Sequence, residues 1–433
     1  ADRGWRTLIE AARDRFGLNI CLRRPCLWGR QTAMRCALAA VLVLCVASAH
    51  GAFTPKTMRA VVATGRGYGE SDYSKIKVVS DQAMPQPSRG QVLIRVAASS
   101  INPVDYKLYS SIAMSALTMF HPKVLGFDVA GTVEAVGEGC SRLKLGDDVW
   151  ADLGKSSLTN PIQLGAWAEY AVADESQVGL KPAGLSFAEA ASLPLVGLTD
   201  LQALRMAGAP WAGRQNLTVV VTSGAGGTGT PALQLAKAFG AARIVTSSSP
   251  KNFDLLKRLG ATEAIDYHKG TIWDALAENS VDVVYDNYGA PGTADAAMKS
   301  LRPGGVFVFL PGKDGGNAKH PKAGVKEINY GLCDSSKHED LDELKMLADA
   351  GKLKAVIGQS FKLKDIVNAF NMSLAGHAVG KIGIEVRSLR RERRVAATTC
   401  ASSRCLTERW RAKSLADAVG VEHSQMELEG MGL

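Results

Sequence analysis

Ser223-Gly224-Ala225-Gly226-Gly227-Thr228-Gly229 follows the apolar run Leu217-Thr218-Val219-Val220-Val221 and opens the helical stretch Thr230–Phe239. Strand, glycine turn and helix start arrive in the order that a dinucleotide diphosphate requires. Glycines let the backbone bend sharply and come close to the phosphates, while unpaired N–H groups at the helix start face the negative charge. Glycine-rich turns are common in themselves; here the flanking strand and helix supply the context that gives the motif meaning. The turn therefore predicts a nicotinamide dinucleotide site built from Gly224, Ala225, Gly226, Gly227, Thr228 and Gly229.

Downstream of the turn the pattern alternates. Val219–Val221 leads to Thr230–Phe239, Ile244–Thr246 to Phe253–Leu259, Ala264–Asp266 to Thr271–Glu278, and Val281–Tyr285 to Thr293–Leu301, with Val306–Leu310 closing the series. Strand–helix alternation of this kind builds a parallel sheet with right-handed crossovers. Upstream, residues 58–182 read as short strands (Met58–Ala63, Gln91–Ala98, Val129–Val136, Asp148–Ala151, Ala168–Val172) punctuated by glycine and proline. Between the two patterns, Phe187–Met206 has helical spacing, and Pro194 splits it into two helices. Beyond the alternating part, Glu339–Asp349 reads as a helix. The strand-like Val356–Phe361 and Ile382–Val386 flank the helical Leu363–Leu374, and this segment returns to complete the β-rich part. The fold class is α/β, with a Rossmann-type parallel-sheet domain inserted into a mostly β domain.

The chain of 433 residues has a formal net charge of +9, and the ends carry it. Residues 1–56 hold nine Lys/Arg against three Asp/Glu, and residues 388–433 hold eight against six, leaving the middle near neutral. A nucleic-acid surface needs a basic patch on the folded part, so no nucleic-acid partner is expected. Of the eight cysteines only Cys140 and Cys333 lie in the middle, without a CxxC, which excludes a disulfide framework and a structural zinc lobe there. Met34-Arg35, the apolar run Cys36–Ala47 and Ala47-Ser48-Ala49 resemble a signal peptide over residues 34–49. The apolar run is too short for a permanent membrane span, so the mature core is expected to carry none. Secretory or organelle (plastid or mitochondrial) targeting is the expectation for the N-terminal extension, and a flexible basic tail for residues 388–433.

Several ordered segments carry a family resemblance: Ile101-Asn102-Pro103-Val104-Asp105-Tyr106-Lys107, Val124-Leu125-Gly126-Phe127-Asp128-Val129-Ala130-Gly131, Leu145-Gly146-Asp147-Asp148-Val149, Ala190-Ala191-Ser192-Leu193-Pro194, the glycine turn, Ala264-Ile265-Asp266-Tyr267, Asp286-Asn287 and Gly380-Lys381. Residues 58–386 thereby resemble the medium-chain dehydrogenase/reductase superfamily, in its zinc-free quinone oxidoreductase branch, which includes plastid alkenal/quinone reductases and a mitochondrial reticulon-interacting oxidoreductase. The resemblance implies a GroES-like catalytic domain (57–182, completed by 350–387) interrupted by the cofactor domain (183–349), with the active site between them. It also implies that Tyr267 stacks near the adenine ribose, that Asn287 sits by the cofactor, and that His377 and Lys381 approach it from the returning segment. A homodimer through the strand after Val306 is compatible with it. The alcohol dehydrogenase branch has a cysteine where this chain has Pro103-Val104 and a His-Glu pair where it has Phe127-Asp128, so no zinc ligand set is expected.

NAD-binding Rossmann folds usually place an acid after the second strand to hold the ribose diol. Here the position reads Ser247-Ser248-Ser249-Pro250-Lys251. The hydroxyls of Ser248 and Ser249 and the ammonium of Lys251 suit a 2′-phosphate, which favours NADPH. Without a metal, hydride delivery to a quinone or to the β carbon of an enone is the less demanding chemistry, because the charge delocalises and a few hydrogen-bond donors stabilise it. Asn102, Tyr106 and Lys107 are the candidate contacts to the carbonyl or the nicotinamide. Asp105 and Asp128 read as structural acids that anchor local backbone. The leading expectation is an NADPH-dependent, zinc-independent reductase of quinones or α,β-unsaturated carbonyls. The alternative is an NADPH-binding scaffold or regulatory protein with little turnover.

Overall fold

A computed structural model describes residues 56–69, 71–154, 165–211, 213–311 and 316–387. The signal-like segment 34–49 and the tail 388–433 lie outside the described residues. The β-rich part is built from β1 (Thr57–Ala63), β2 (Ile76–Ala83), β3 (Gln91–Ser100), β4 (Lys123–Val124), β5 (Asp128–Val136), β6 (Asp148–Asp152), β7 (Tyr170–Asp174) and β8 (Gly179–Leu180). Strand β3 is the hub: it pairs antiparallel with β5, β7 and the last strand of the chain, β16 (Lys381–Glu385), which lies parallel to β15 (Ile357–Lys362). The C-terminal segment thus returns to the β part, as the sequence predicts. A smaller sheet orders β2-β1-β4 and is tied to the segment just before β7 by the bridge Ala60–Ala168.

The alternating part forms a six-stranded parallel sheet. Its strands are β9 (Thr218–Val221), β10 (Arg243–Ser248), β11 (Glu263–Asp266), β12 (Val281–Asp286), β13 (Leu301–Phe309) and β14 (Lys326–Asn329), in the order β11-β10-β9-β12-β13-β14. This order reverses between β9 and β12, and an open α/β sheet binds its ligand at such a switch point, outside the carboxyl ends of the strands. Strands β9 and β12 are buried along their whole length, so Val-rich runs without alternation suit them. Helix Gly229–Ala238 packs its buried Leu233, Leu235 and Ala236 into the same core.

Several local expectations change. Residues Thr271–Glu278 form only a short 3-10 turn, Ile272–Ala275, capped by Thr271 and Asp274, because Asp274 accepts from the Thr271 N–H and closes the turn at once. Strands β2 and β14 escape the sequence reading; β2 has a mostly polar, half-exposed pattern with no clean alternation. The segment after Ser100, which carries Asn102, Tyr106 and Lys107, folds into two helices, Pro103–Ser110 and Ile112–Leu117. Pro194 begins helix Pro194–Met206, after the shorter helix Phe187–Ala191, as expected for a proline at a first helical position. Among the described residues no helix is long and apolar enough to cross a membrane.

Candidate active site

The glycine turn sits on the end of β9 and is packed from below. A Cβ at Gly224 would stand 2.2 Å from Thr246 Oγ1, and one at Gly229 would stand 2.3 Å from the Ser223 carbonyl oxygen. These glycines therefore allow close helix–strand approach. Gly226 is different: its nearest neighbour would be the Ser223 carbonyl at 3.3 Å, and the residue lines the cleft. The turn is also held from the β-rich part, since the Gly380 N–H donates to the Ala225 carbonyl at 2.8 Å and Gly226 bridges Gly380.

A cleft of about 930 Å³ runs from this turn along the carboxyl ends of the parallel strands. Ala225, Gly226, Ser248, Ser249, Lys251, Tyr267 and His377 all line it. Four segments far apart in sequence thus converge on one groove. Ser249 Oγ and Tyr267 OH lie 2.9 Å apart, and Ser248 Oγ accepts from Asn252 Nδ2 at 2.9 Å. Tyr267 stacks on His268 with ring centroids 4.3 Å apart, while the His268 ring nitrogen lies 2.8 Å from Asp266 Oδ1. No carboxylate of β10 enters the groove; its last residues are Thr246, Ser247 and Ser248.

The end of β12 is shaped by Thr222 and Asp286. Thr222 Oγ1 donates to Asp286 Oδ1 at 2.8 Å and accepts the Asn287 N–H at 3.1 Å, and Asp286 also accepts from the Tyr288 and Gly289 amides. This cap holds Asn287 beside the glycine turn with its Nδ2 buried and without a partner. A buried donor with no acceptor is costly to maintain, so the orphaned amide fits a missing polar ligand. Together with the open face of Gly226, it shows that the residues fit a nicotinamide dinucleotide.

In the β-rich part a buried polar network replaces the expected direct contacts of two residues. Asn102 is fully buried as the N-cap of helix Pro103–Ser110, and its amide donates to Asp128 Oδ2 at 2.7 Å and accepts from Lys381 Nζ at 2.5 Å. Lys381 Nζ also donates to the Ile101 carbonyl at 3.0 Å and to Asp128 Oδ2 at 3.2 Å. Asp128 accepts from Ser100 Oγ at 2.6 Å and, through Oδ1, from the Leu195 N–H at 2.8 Å. Asn102 and Lys381 therefore spend their polar atoms on one another and on Asp128, not on the open cleft. The anchoring role read for Asp128 is its observed geometry. Tyr106 is mostly buried with its ring edge-on to Phe370, centroids 6.3 Å apart. Lys107 is exposed, and its Nζ lies 3.4 Å from the Pro311 carbonyl at the end of the fifth parallel strand. In the sequence, the signal for the network was a charge at the head of an apolar strand, at Asp128 and again at Lys381, since such residues are rarely buried unless paired.

Comparison with known proteins agrees with this geometry. Residues 88–183 match the family described as alcohol dehydrogenase GroES-like domain, and residues 259–382 match the one described as zinc-binding dehydrogenase. The chain is 37% identical to a 2-methylene-furan-3-one reductase of Solanum lycopersicum, over 73% of this chain and 76% of that one. It is 35% identical to an NADPH-dependent alkenal/one oxidoreductase, chloroplastic, of Arabidopsis thaliana, over 76% and 79%. The chain belongs to the medium-chain dehydrogenase/reductase superfamily, in its quinone oxidoreductase branch. Among solved structures, the quinone oxidoreductase from Coxiella burnetii superposes with a TM-score of 0.65 at 32% identity, covering 77% of this chain and all of that one.

In this oxidoreductase the buried acids outnumber the buried cation near them. Asp105, Asp128 and Asp152 are all almost fully buried around Lys381. Burial, opposed by the Asn102 N–H bond and reinforced by Asp128, raises the Asp105 carboxyl well above its usual range. Burial and then the charge of Asp128 push Asp152 up to about 7. Among the described residues no group of three His, Cys, Asp or Glu side chains stands where it could hold a metal ion.

The raised Asp152 value has a consequence for stability. A carboxyl with a higher pKa folded than unfolded binds protons more tightly in the folded state, so its favourable contribution is complete below the unfolded value near 4 and is lost as pH rises through about 7. Thermal melts of Asp152→Asn are expected to lose most of this decline, gaining on the order of 2–4 kcal/mol over the parent at pH 8 relative to pH 4. Parallel pH dependence in parent and variant would show that Asp152 is not the group responsible.

Proposed function

We propose that this chain is an NADPH-dependent, zinc-independent reductase that reduces quinones or the C=C bond of α,β-unsaturated carbonyls. The observation that carries the reading is the convergence of the open glycine turn with Ser248, Ser249, Lys251 and Tyr267 on one cleft. A diphosphate would lie over Gly224–Gly229 at the helix start, and the hydroxyls and ammonium at and after the end of β10 would take the 2′-phosphate. Asn287 would offer its free amide to the nicotinamide end. Lys107, at the seam with Pro311, and Tyr106 on the same helix are the groups proposed to hydrogen-bond the substrate carbonyl, while Asn102 holds the start of that helix. Bound NADPH would supply the hydride. Charge arriving at the β carbon of a conjugated carbonyl spreads to its oxygen, where a positioned donor stabilises it without a Lewis acid. The names of the tomato and Arabidopsis relatives, a furanone reductase and an alkenal/one oxidoreductase, describe conjugated carbonyl substrates.

The domain limits 57–182 with 350–387 and 183–349 belong to the same reading, supported by which strands share a sheet. A homodimer would use the edge of the parallel sheet, where β14 is the terminal strand.

The test is NADPH consumption with a panel of enals, enones and quinones, run beside NADH and with a chelator. Turnover with NADPH that survives chelation is expected; faster NADH turnover or loss on chelation would overturn the reading, and tight binding without turnover would indicate a scaffold. Within the same panel, Lys251→Ala is expected to raise the KM for NADPH about 10-fold, a loss of roughly 1.4 kcal/mol, and to leave the KM for NADH unchanged. An equal effect on both cofactors would remove Lys251 from the phosphate site.

A further inference from the structure

We propose that Lys381 is a positioning residue whose ammonium couples the seat of the dinucleotide to the helix that carries Tyr106 and Lys107; the proposal rests on the glycine turn being that seat. The main chain just before Lys381 is docked on the turn, through Gly380 N–H to the Ala225 carbonyl at 2.8 Å. Its own side chain runs under the turn, where a Cβ at Gly227 would stand 3.1 Å from Lys381 Cδ. The same side chain ends on the Ile101 carbonyl and on Asn102 Oδ1, the residues that begin helix Pro103–Ser110. The glycine turn, β16 and the start of helix Pro103–Ser110 are thereby joined by one buried cation. Asp128 completes the joint by holding Lys381, Asn102, Ser100 and the Leu195 N–H together.

The physical argument is geometric. Lys381 is 4% exposed and Asn102 and Asp128 are not exposed at all, so none has a slack, solvated conformation to absorb a displacement. Close-packed interiors transmit small shifts. A ligand that fixes Gly226 and Gly227 also fixes the lysine stem beneath them, and the stem fixes the N-cap of the helix. The lysine serves the cofactor site through the turn and the substrate side through Asn102.

The experiment is hydrogen exchange of the full chain with and without NADPH. Lys381→Met paired with Asp128→Asn removes the link while leaving the net buried charge unchanged. In the parent, NADPH is expected to slow exchange at residues 223–230 and, at least about threefold, in helix Pro103–Ser110. In the double variant the turn stays protected and the helix does not. NADPH affinity should hold within about threefold while kcat for an enone falls at least about 30-fold. Asn102→Ser, which removes the amide arm of the relay and leaves Lys381 on Asp128 and on the Ile101 carbonyl, should weaken the helix protection, and it reads the link if the double variant does not fold. Helix protection that persists in these variants overturns the proposal, as does a loss of NADPH affinity at unchanged kcat, which would make Lys381 a direct cofactor contact. Absence of any NADPH protection at residues 223–230 in the parent would instead overturn the cofactor seat itself, whereas turn protection without helix protection in the parent defeats the coupling alone.

Discussion

Gly226→Val is expected to weaken NADPH binding at least about 100-fold, a loss of roughly 2.7 kcal/mol, with the thermal melt close to that of the parent. The asymmetry comes from where the added atoms go. At Gly226 a Cβ meets only Ser223, its carbonyl at 3.3 Å and its Oγ at 3.5 Å, so the turn gives by a few tenths of an ångström and the branched methyls enter the cleft that Gly226 lines. They occupy space that a diphosphate needs to reach the backbone N–H groups. Gly224→Ala should behave in the opposite way. Its Cβ would lie 2.2 Å from Thr246 Oγ1, which itself donates to the Val221 carbonyl at 2.6 Å, so the strand must shift. Overpacking of this kind costs about 1–3 kcal/mol in stability, and the melt falls before binding is considered. Fluorescence of bound NADPH and thermal melts read the two effects separately. Parent-like affinity in Gly226→Val would mean that the diphosphate does not cross this turn.

Asp128→Ala should produce the largest loss of stability of any single change in the buried network. The substitution strips a charge partner from Lys381 and acceptors from Ser100, Asn102 and the Leu195 N–H in one step. Removing one member of a buried ion pair costs about 3–5 kcal/mol, because the remaining charge stays desolvated. For a domain of this size that is a fall in Tm on the order of 10 °C. Asp128→Asn should be milder, since an amide oxygen can still accept from Leu195 while the charge is lost. A melt of Asp128→Ala within about 1 kcal/mol of the parent would mean that water or another acid takes over the lysine, and the network would no longer explain the joint between the two halves.

In the proposed site the cofactor half would be a property of backbone shape at Gly224–Gly229, and the substrate half would depend on how helix Pro103–Ser110 is held. Asp128 links the two because it sits on β5 of the β part and yet accepts from Leu195, the second residue of the helix that packs on the parallel sheet.

The amino-acid sequence by itself determined the parallel sheet, the helix after the glycine turn and the return of the last strands. Those features rest on local periodicity and on glycine and proline, whose effects act within a few residues. It also marked the serines and the lysine after β10, because the absence of an acid there is visible in a single stretch. What only the tertiary structure decided was which polar atoms meet. Asn102 and Lys381 are 279 residues apart, and nothing local indicates that one accepts from the other rather than facing a ligand. The same holds for helix Pro103–Ser110, whose short polar segment has little periodic signal and is fixed by its N-cap and by packing of Tyr106 on Phe370. Burial and pairing are sums over distant neighbours, so they become legible only once the chain has closed on itself.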